Sequence, residues 1–187
     1  PIPEPIPEQP RGSKTAPLSK SEFCEQRKQN DYFVRLSYEP LNQLAFRNEG
    51  GLKDKGVCWW HALFQRSATY TAVYRPDLPK PNHATAKKIV HRIAAGSKIV
   101  EVPGYKNLNE FSRDWQSVIQ SKLESWQKID GFLKFAWIKG LVGSTHADPQ
   151  KIKSQWDEFE KWIEVDKKVE WAMLQLEGIS THGVLLI

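Results

Sequence analysis

Cysteine, methionine and long apolar runs are all scarce in this 187-residue sequence. Two cysteines, Cys24 and Cys58, cannot build a disulfide scaffold; they either form one bridge or stay as thiols. The longest apolar cluster spans only residues 132–138 and is interrupted by Lys134. That is far short of the roughly 20 residues a membrane span needs. Charge of one sign is lacking as well. The 27 Lys and Arg face 22 Asp and Glu, a net +5, and the two signs interleave, as in Lys151 and Lys153 beside Asp157 and Glu158. Without a basic block there is no electrostatic case for a nucleic-acid partner. No secretory signal is present, but the chain begins at Pro1 rather than Met. This fits a mature or trimmed protein and leaves the compartment open.

What is present belongs to a folded domain: 40% of residues are hydrophobic and 26% charged. That balance excludes collagen-like, coiled-coil and fully disordered chains. A chain this long buries roughly 70% of its unfolded surface, enough for one core. The eight tryptophans are expected mainly in that core, the alternative being an aromatic platform for sugars or bases.

Residues 1–20 read as a proline-rich linker, because the near-alternating prolines of positions 1–7 favour extended polyproline II backbone. The segment is a spacer, or a proline-motif ligand for a partner. Residues 21–187 read as the folded domain. A short helix is expected over Ser21–Asn30 and a strand over Tyr32–Tyr38. A turn is forced at Asn48-Glu49-Gly50-Gly51. A helix begins near Cys58, marked by Trp59, Ala62, Leu63, Ala68, Ala72 and Val73, and stops before Pro76. Asn82 caps the next helix, which Gly96 closes near Ala95. Ile99–Val102 is a short strand. Asn107 and Glu110 open a long helix whose apolar face runs from Leu108 to Ile129. Trp115, Trp126 and Trp137 recur every 11 residues, about three helical turns. Asp148-Pro149 opens another helix, with Ile152, Trp156, Phe159 and Ile163 as its apolar face. Two strands follow, Val169–Leu176 and Gly183–Ile187. Helices first and a closing hairpin last indicate an α+β fold rather than alternating α/β.

Two local patterns carry chemistry. In Gly56-Val57-Cys58-Trp59-Trp60 a glycine loop delivers a cysteine to a helix start. Unpaired N–H groups there favour the thiolate, the nucleophilic form. A buried structural cysteine would give the same local pattern. In Ser180-Thr181-His182-Gly183-Val184 a histidine opens an apolar strand, where it could face a helix terminus or simply hold a structural hydrogen bond.

Together these patterns resemble the papain-like cysteine peptidases. The family's nucleophile lies in Gly-x-Cys-Trp at the start of the central helix, matching Gly56 to Trp59. Its base lies in His-[Ala/Gly]-Val-x-x-[Val/Ile], matching His182 to Ile187. The two are 124 residues apart, within the family's usual range. The resemblance implies a helix-rich N-terminal part whose cysteine helix packs on a small antiparallel sheet carrying the histidine. It also implies hydrolysis of a peptide or isopeptide bond in a peptide or protein substrate. Cys58 would be nucleophile, His182 base and acid, with no cofactor and no metal.

Several positions depart from the family pattern. Leu52 stands where an oxyanion Gln is usual. Arg47-Asn48-Glu49-Gly50 looks like the family's Arg-Asn-Gln-Gly, which makes Asn48 and Glu49 the oxyanion candidates. A carboxylate cannot donate, so Asn48 is the better of the two. The residue that orients the histidine follows it by a further strand, and the chain stops five residues after His182. The domain is therefore expected to be incomplete at its C-terminus. These departures keep two alternatives open: a non-catalytic papain-like binding or scaffold domain, and a transglutaminase-like acyl transferase. His61, three residues after Cys58, is a rival base or the second half of a metal pair, with Cys24 and His146 as remote further ligands. The trimmed start and proline spacer suggest an extracytoplasmic protein, periplasmic or secreted.

Overall fold

The computed structural model describes residues 19–29, 31–51, 56–133, 148–175 and 181–187. Nearly all of the proline-rich linker, the loop holding Leu52, and Trp137 and His146 lie outside the described residues.

Mixed helix and sheet are present, as an α+β fold requires. Helix α1 (Lys20–Gln26) opens with a capping box between Ser19 and Glu22. Residues Tyr32–Tyr38 form helix α2 rather than the expected strand. The reason is tertiary. Tyr32 meets the Phe23 ring at 6.0 Å and Phe33 meets Tyr70 at 4.2 Å. A strand would send neighbouring side chains to opposite faces. A 3-10 turn (Pro40–Asn42) follows.

Helix α3 (Cys58–Thr71) is central. It ends earlier than its apolar spacing suggested, because Ala72–Arg75 leaves the helix as strand β1. Ala72 and Val73 are buried all the same, and a short buried run suits either period. Helix α4 (His83–Ala95) is capped by Asn82 and closed by Gly96, as expected. It returns the chain to β2 (Val100–Pro103). β1 and β2 pair in parallel, with Ala72 opposite Val100 and Arg75 opposite Pro103. A single β-α-β unit is thus embedded among the helices, which the helices-then-hairpin order did not foresee.

The expected long helix is two. Asn107 caps α5 (Leu108–Asp114), and α6 (Gln116–Leu133) starts one residue after it. The break is at Trp115, whose indole N–H donates to the Tyr105 hydroxyl at 2.8 Å. That hydroxyl donates to Asp114 at 3.0 Å, and Lys80 donates to the same carboxylate at 2.7 Å. This polar knot holds Trp115 out of helical register. Trp115 and Trp126 still pack against the core as expected.

The core gathers Val57, Phe64, Val90, Ile93, Val100, Val102, Leu108, Phe111, Ile119 and Leu123, all completely or almost completely shielded from solvent. It lies between α3, α4, α5, α6 and the parallel strands. Helix α7 (Pro149–Glu160) opens on Asp148 as expected and ends in a π-helical turn (Lys161–Val165). Its intended core face does not reach the core: Ile152 is 51% exposed and Trp156 is 63% exposed.

Strands β3 (Glu170–Gln175) and β4 (Thr181–Leu186) form the expected antiparallel hairpin, with Met173 opposite Gly183 and Leu174 opposite His182. The hairpin leans on α3. Arg66 donates to the Val169 carbonyl at 3.0 Å, pairs with Glu170 at 2.5 Å, and stacks on Tyr70 and Trp171 at 4.8 and 4.9 Å. The Val169 N–H in turn donates to the Tyr70 hydroxyl at 2.9 Å. A partly buried guanidinium with two donors bonded and two rings against it is a strong local staple.

Candidate active site

The loop before α3 is set from below by α6. Gln127, 8% exposed, donates to the Gly56 carbonyl at 3.1 Å. Gln120 donates to the Glu49 carbonyl at 2.7 Å. The Val57 N–H donates to Asn48 Oδ1 at 2.6 Å. Gly56 has φ of 83° and lies directly under the Asn48 side chain, 2.7 Å from where a Cβ would stand. Any other residue there would be both strained and in collision with that amide.

This loop releases the chain so that Cys58 is the first residue of α3. The first N–H groups of a helix have no intrahelical acceptor, and together they carry a partial positive charge. Trp60, next but one, fixes the first turn by donating its indole N–H to Asp130 on α6 at 2.9 Å.

From above, β4 crosses the start of α3. The Gly183 N–H donates to Cys58 Sγ at 3.2 Å. The approach is close enough to demand glycine. A Cβ at 183 would stand 2.5 Å from Trp59 Cα and 2.7 Å from the Cys58 carbonyl carbon. Trp59 meets Trp171 of β3 at 5.6 Å on the same seam. The structure therefore brings Cys58 to the histidine strand. It places His182 next in the chain to the residue that touches the sulfur, with an exposed side chain that makes no hydrogen bond among the described residues.

The remaining sequence candidates divide clearly. Asn48 sits over the Gly56–Val57 peptide. Its oxygen accepts from Val57, and its amide nitrogen lies over Gly56. Glu49 has an exposed side chain, and its contact with α6 is through its backbone carbonyl. His61 does not join Cys58. Its Nε2 donates to the Phe46 carbonyl at 3.3 Å, and its ring meets Phe46 edge-on at 5.4 Å. Burial holds its imidazole below the usual range, an effect the Phe46 carbonyl only partly offsets. Neither Cys24 nor Cys58 is in a disulfide. Among the described residues no group of three His, Cys, Asp or Glu is arranged to hold a metal.

Three contributors were not singled out from the sequence. The Gly183 N–H and the two α6 glutamines act through long-range contacts that no local spacing signals. Trp171 brings a further buried indole N–H to the seam, which has no acceptor among the described residues.

Compared with known proteins, the chain matches no family model, no curated protein and no solved structure. Among the described residues no helix is long and apolar enough to cross a membrane.

Proposed function

We propose that the chain carries a papain-like thiol hydrolase domain, a cysteine peptidase acting on a peptide or isopeptide bond. The observation that carries this reading is the seating of Cys58 Sγ at the start of α3 under the N–H of Gly183, the neighbour of His182. Helix N–H groups and the Gly183 N–H stabilise the sulfur as thiolate. The thiolate adds to the substrate carbonyl carbon, and the resulting oxyanion takes donors from the Cys58 backbone N–H and the Asn48 amide. His182, rotated about its side-chain bonds toward the sulfur, holds the thiol proton as imidazolium. It then gives this proton to the leaving amine as the carbon–nitrogen bond breaks. Water, deprotonated by the same imidazole, releases the acyl group from sulfur. The proline-rich residues 1–20 act as a spacer or partner ligand, in an extracytoplasmic setting.

A second reading, a non-catalytic papain-like binding domain, is favoured by one observation: nothing among the described residues hydrogen-bonds the His182 ring. Alkylation by iodoacetamide across pH separates the two. The hydrolase reading expects Cys58 to be alkylated faster near neutral pH than a model thiol, and expects His182→Ala to lose that advantage. A Cys58 that reacts no faster than a model thiol, and does so equally in His182→Ala, leaves the binding domain as the better account.

A further inference from the structure

Away from Cys58, helices α4 and α6 pack side by side and border an open groove of about 370 Å³. That volume lies within the range of roughly 300–1,000 Å³ typical of small-ligand sites. Its lining is unusual in sign and in spacing. From α4 come His83, Lys87 and His91, at steps of four residues. From α6 come Ser117, Ser121 and Ser125 at the same step, with Lys122 among them. Steps of four keep side chains on one helical face, so a stripe of imidazoles and one ammonium faces a hydroxyl stripe along the groove.

No carboxylate lines this groove. Neither lysine has a carboxylate partner among the described residues. Lys122 instead lies over the Trp126 ring at 5.0 Å. Glu124, an acid on the same stretch of α6, turns to another face, where it meets Gln120 and the Gly51 N–H. His91 feels the resulting field: burial, then Lys122 and Lys87, hold its imidazole below the usual range. The helix ends add to the charge. His83, the first residue of α4, meets Trp115, just ahead of α6, at 6.0 Å. Both helices therefore start at the same end of the groove, and both partial positive charges gather there.

We infer that this groove is a binding site for a phosphate monoester. Two ammonium groups, two imidazoles and three hydroxyls offer many donors converging on one small volume. A dianionic phosphoryl group has three acceptor oxygens to take them. A single carboxylate would leave most of these donors unused, and a nucleic-acid backbone would need a longer basic track than this short groove. The site is independent of the hydrolase reading, since it shares no residue with it.

Calorimetric titration of the whole chain tests the inference with a phosphoserine peptide, its unmodified counterpart, adenosine monophosphate and inorganic phosphate. The expected result is that one or both esters bind and the unmodified peptide does not. Whether the peptide or the nucleotide binds more tightly identifies the source of the phosphoryl group. The paired substitution Lys87→Gln with Lys122→Gln should weaken ester binding by about tenfold or more, the usual loss on removing charge-assisted hydrogen bonds. Lys88→Gln, exposed on the same helix but not in the lining, should leave binding unchanged. Lys87 and Lys88 are exposed and Lys122 is half-buried over Trp126, so an unchanged melting profile verifies folding of each variant. Failure of both esters to bind, ester binding no tighter than inorganic phosphate, or undiminished binding in the Lys87→Gln/Lys122→Gln variant would each overturn it.

Discussion

The two sheets among the described residues are built to opposite plans. The parallel pair β1–β2 is inside: Ala72, Val73, Val100 and Val102 are all buried, and α4 covers the crossover between the strands. The antiparallel pair β3–β4 buries Val169 at its entrance and Ala172 within it, while Met173 and Leu174 stay 38% and 39% exposed. Parallel strands require a crossover, and the crossover helix brings the core with it; a hairpin can rest one face on its neighbours and leave the other in water. The consequence for the candidate site is direct. Cys58 belongs to the buried half through α3, whereas His182 lies on the more exposed hairpin that leans on α3. The seam between them rests on Gly183, on the Trp59–Trp171 pair and on the Arg66 staple.

Substitutions in the two halves should therefore differ in size and in kind. The largest effect is expected at Phe111, fully buried against Tyr105 at 5.3 Å. Phe111→Ala should lower unfolding stability by about 3–5 kcal/mol, measured by denaturant titration. A loss below about 1 kcal/mol would mean that the core does not close around the parallel strands as described. Next comes Gly183→Ala. Its methyl meets Trp59 backbone, which cannot yield, so β4 must lift away from α3. The expected cost is about 1–3 kcal/mol, accompanied by slower Cys58 alkylation near neutral pH as the N–H leaves the sulfur. An alanine variant identical to wild type in both readouts would break the seam model.

A smaller effect, confined to one pH window, is expected at His61. Its folded-state imidazole is held low by burial, so between the two values the unfolded chain binds the extra proton. Stability should then fall as pH drops through about 6.5, the ordinary histidine value, and level off below the folded value. Carboxylates such as Asp77 and Asp114, held low by Arg75 and Lys80, give up their contribution only further down, as pH falls below the ordinary aspartate range. His61→Gln keeps a donor for the Phe46 carbonyl and does not titrate. Melting temperatures of this variant should fall less steeply between about pH 7 and pH 5 than those of the wild type. The smallest effect is expected on α7. Trp156, on a face that meets no core, should tolerate Trp156→Ser within about 0.5 kcal/mol.

Local signals in the sequence were sufficient wherever one residue decides the outcome. Asn82, Asn107 and Asp148 cap the helices they were expected to cap, each accepting a backbone N–H from the first turn. The glycine loop does deliver Cys58 to a helix start. Where several residues far apart must agree, the reading failed. Tyr32–Tyr38 became a helix because its aromatic partners lie on α1 and α3. The face of Ile152 and Trp156 has the right period but no partner among the described residues. The single long helix broke at Trp115 because Tyr105, Asp114 and Lys80 pull the indole aside.

The scarcity of cysteine takes on a different meaning at the tertiary level. The sequence alone determines that two cysteines cannot build a disulfide scaffold, that its longest apolar cluster is short of a membrane span, and that one cysteine follows a glycine loop with helix-start spacing. Capping and backbone freedom are local, so one-dimensional spacing is enough to specify them. Only the tertiary structure decided that β4 lies over that thiol, that Gln127 steadies its loop, and that His61 turns away to Phe46. Those contacts join residues far apart in sequence, and they form because burying the shared core brings the elements together in this one arrangement.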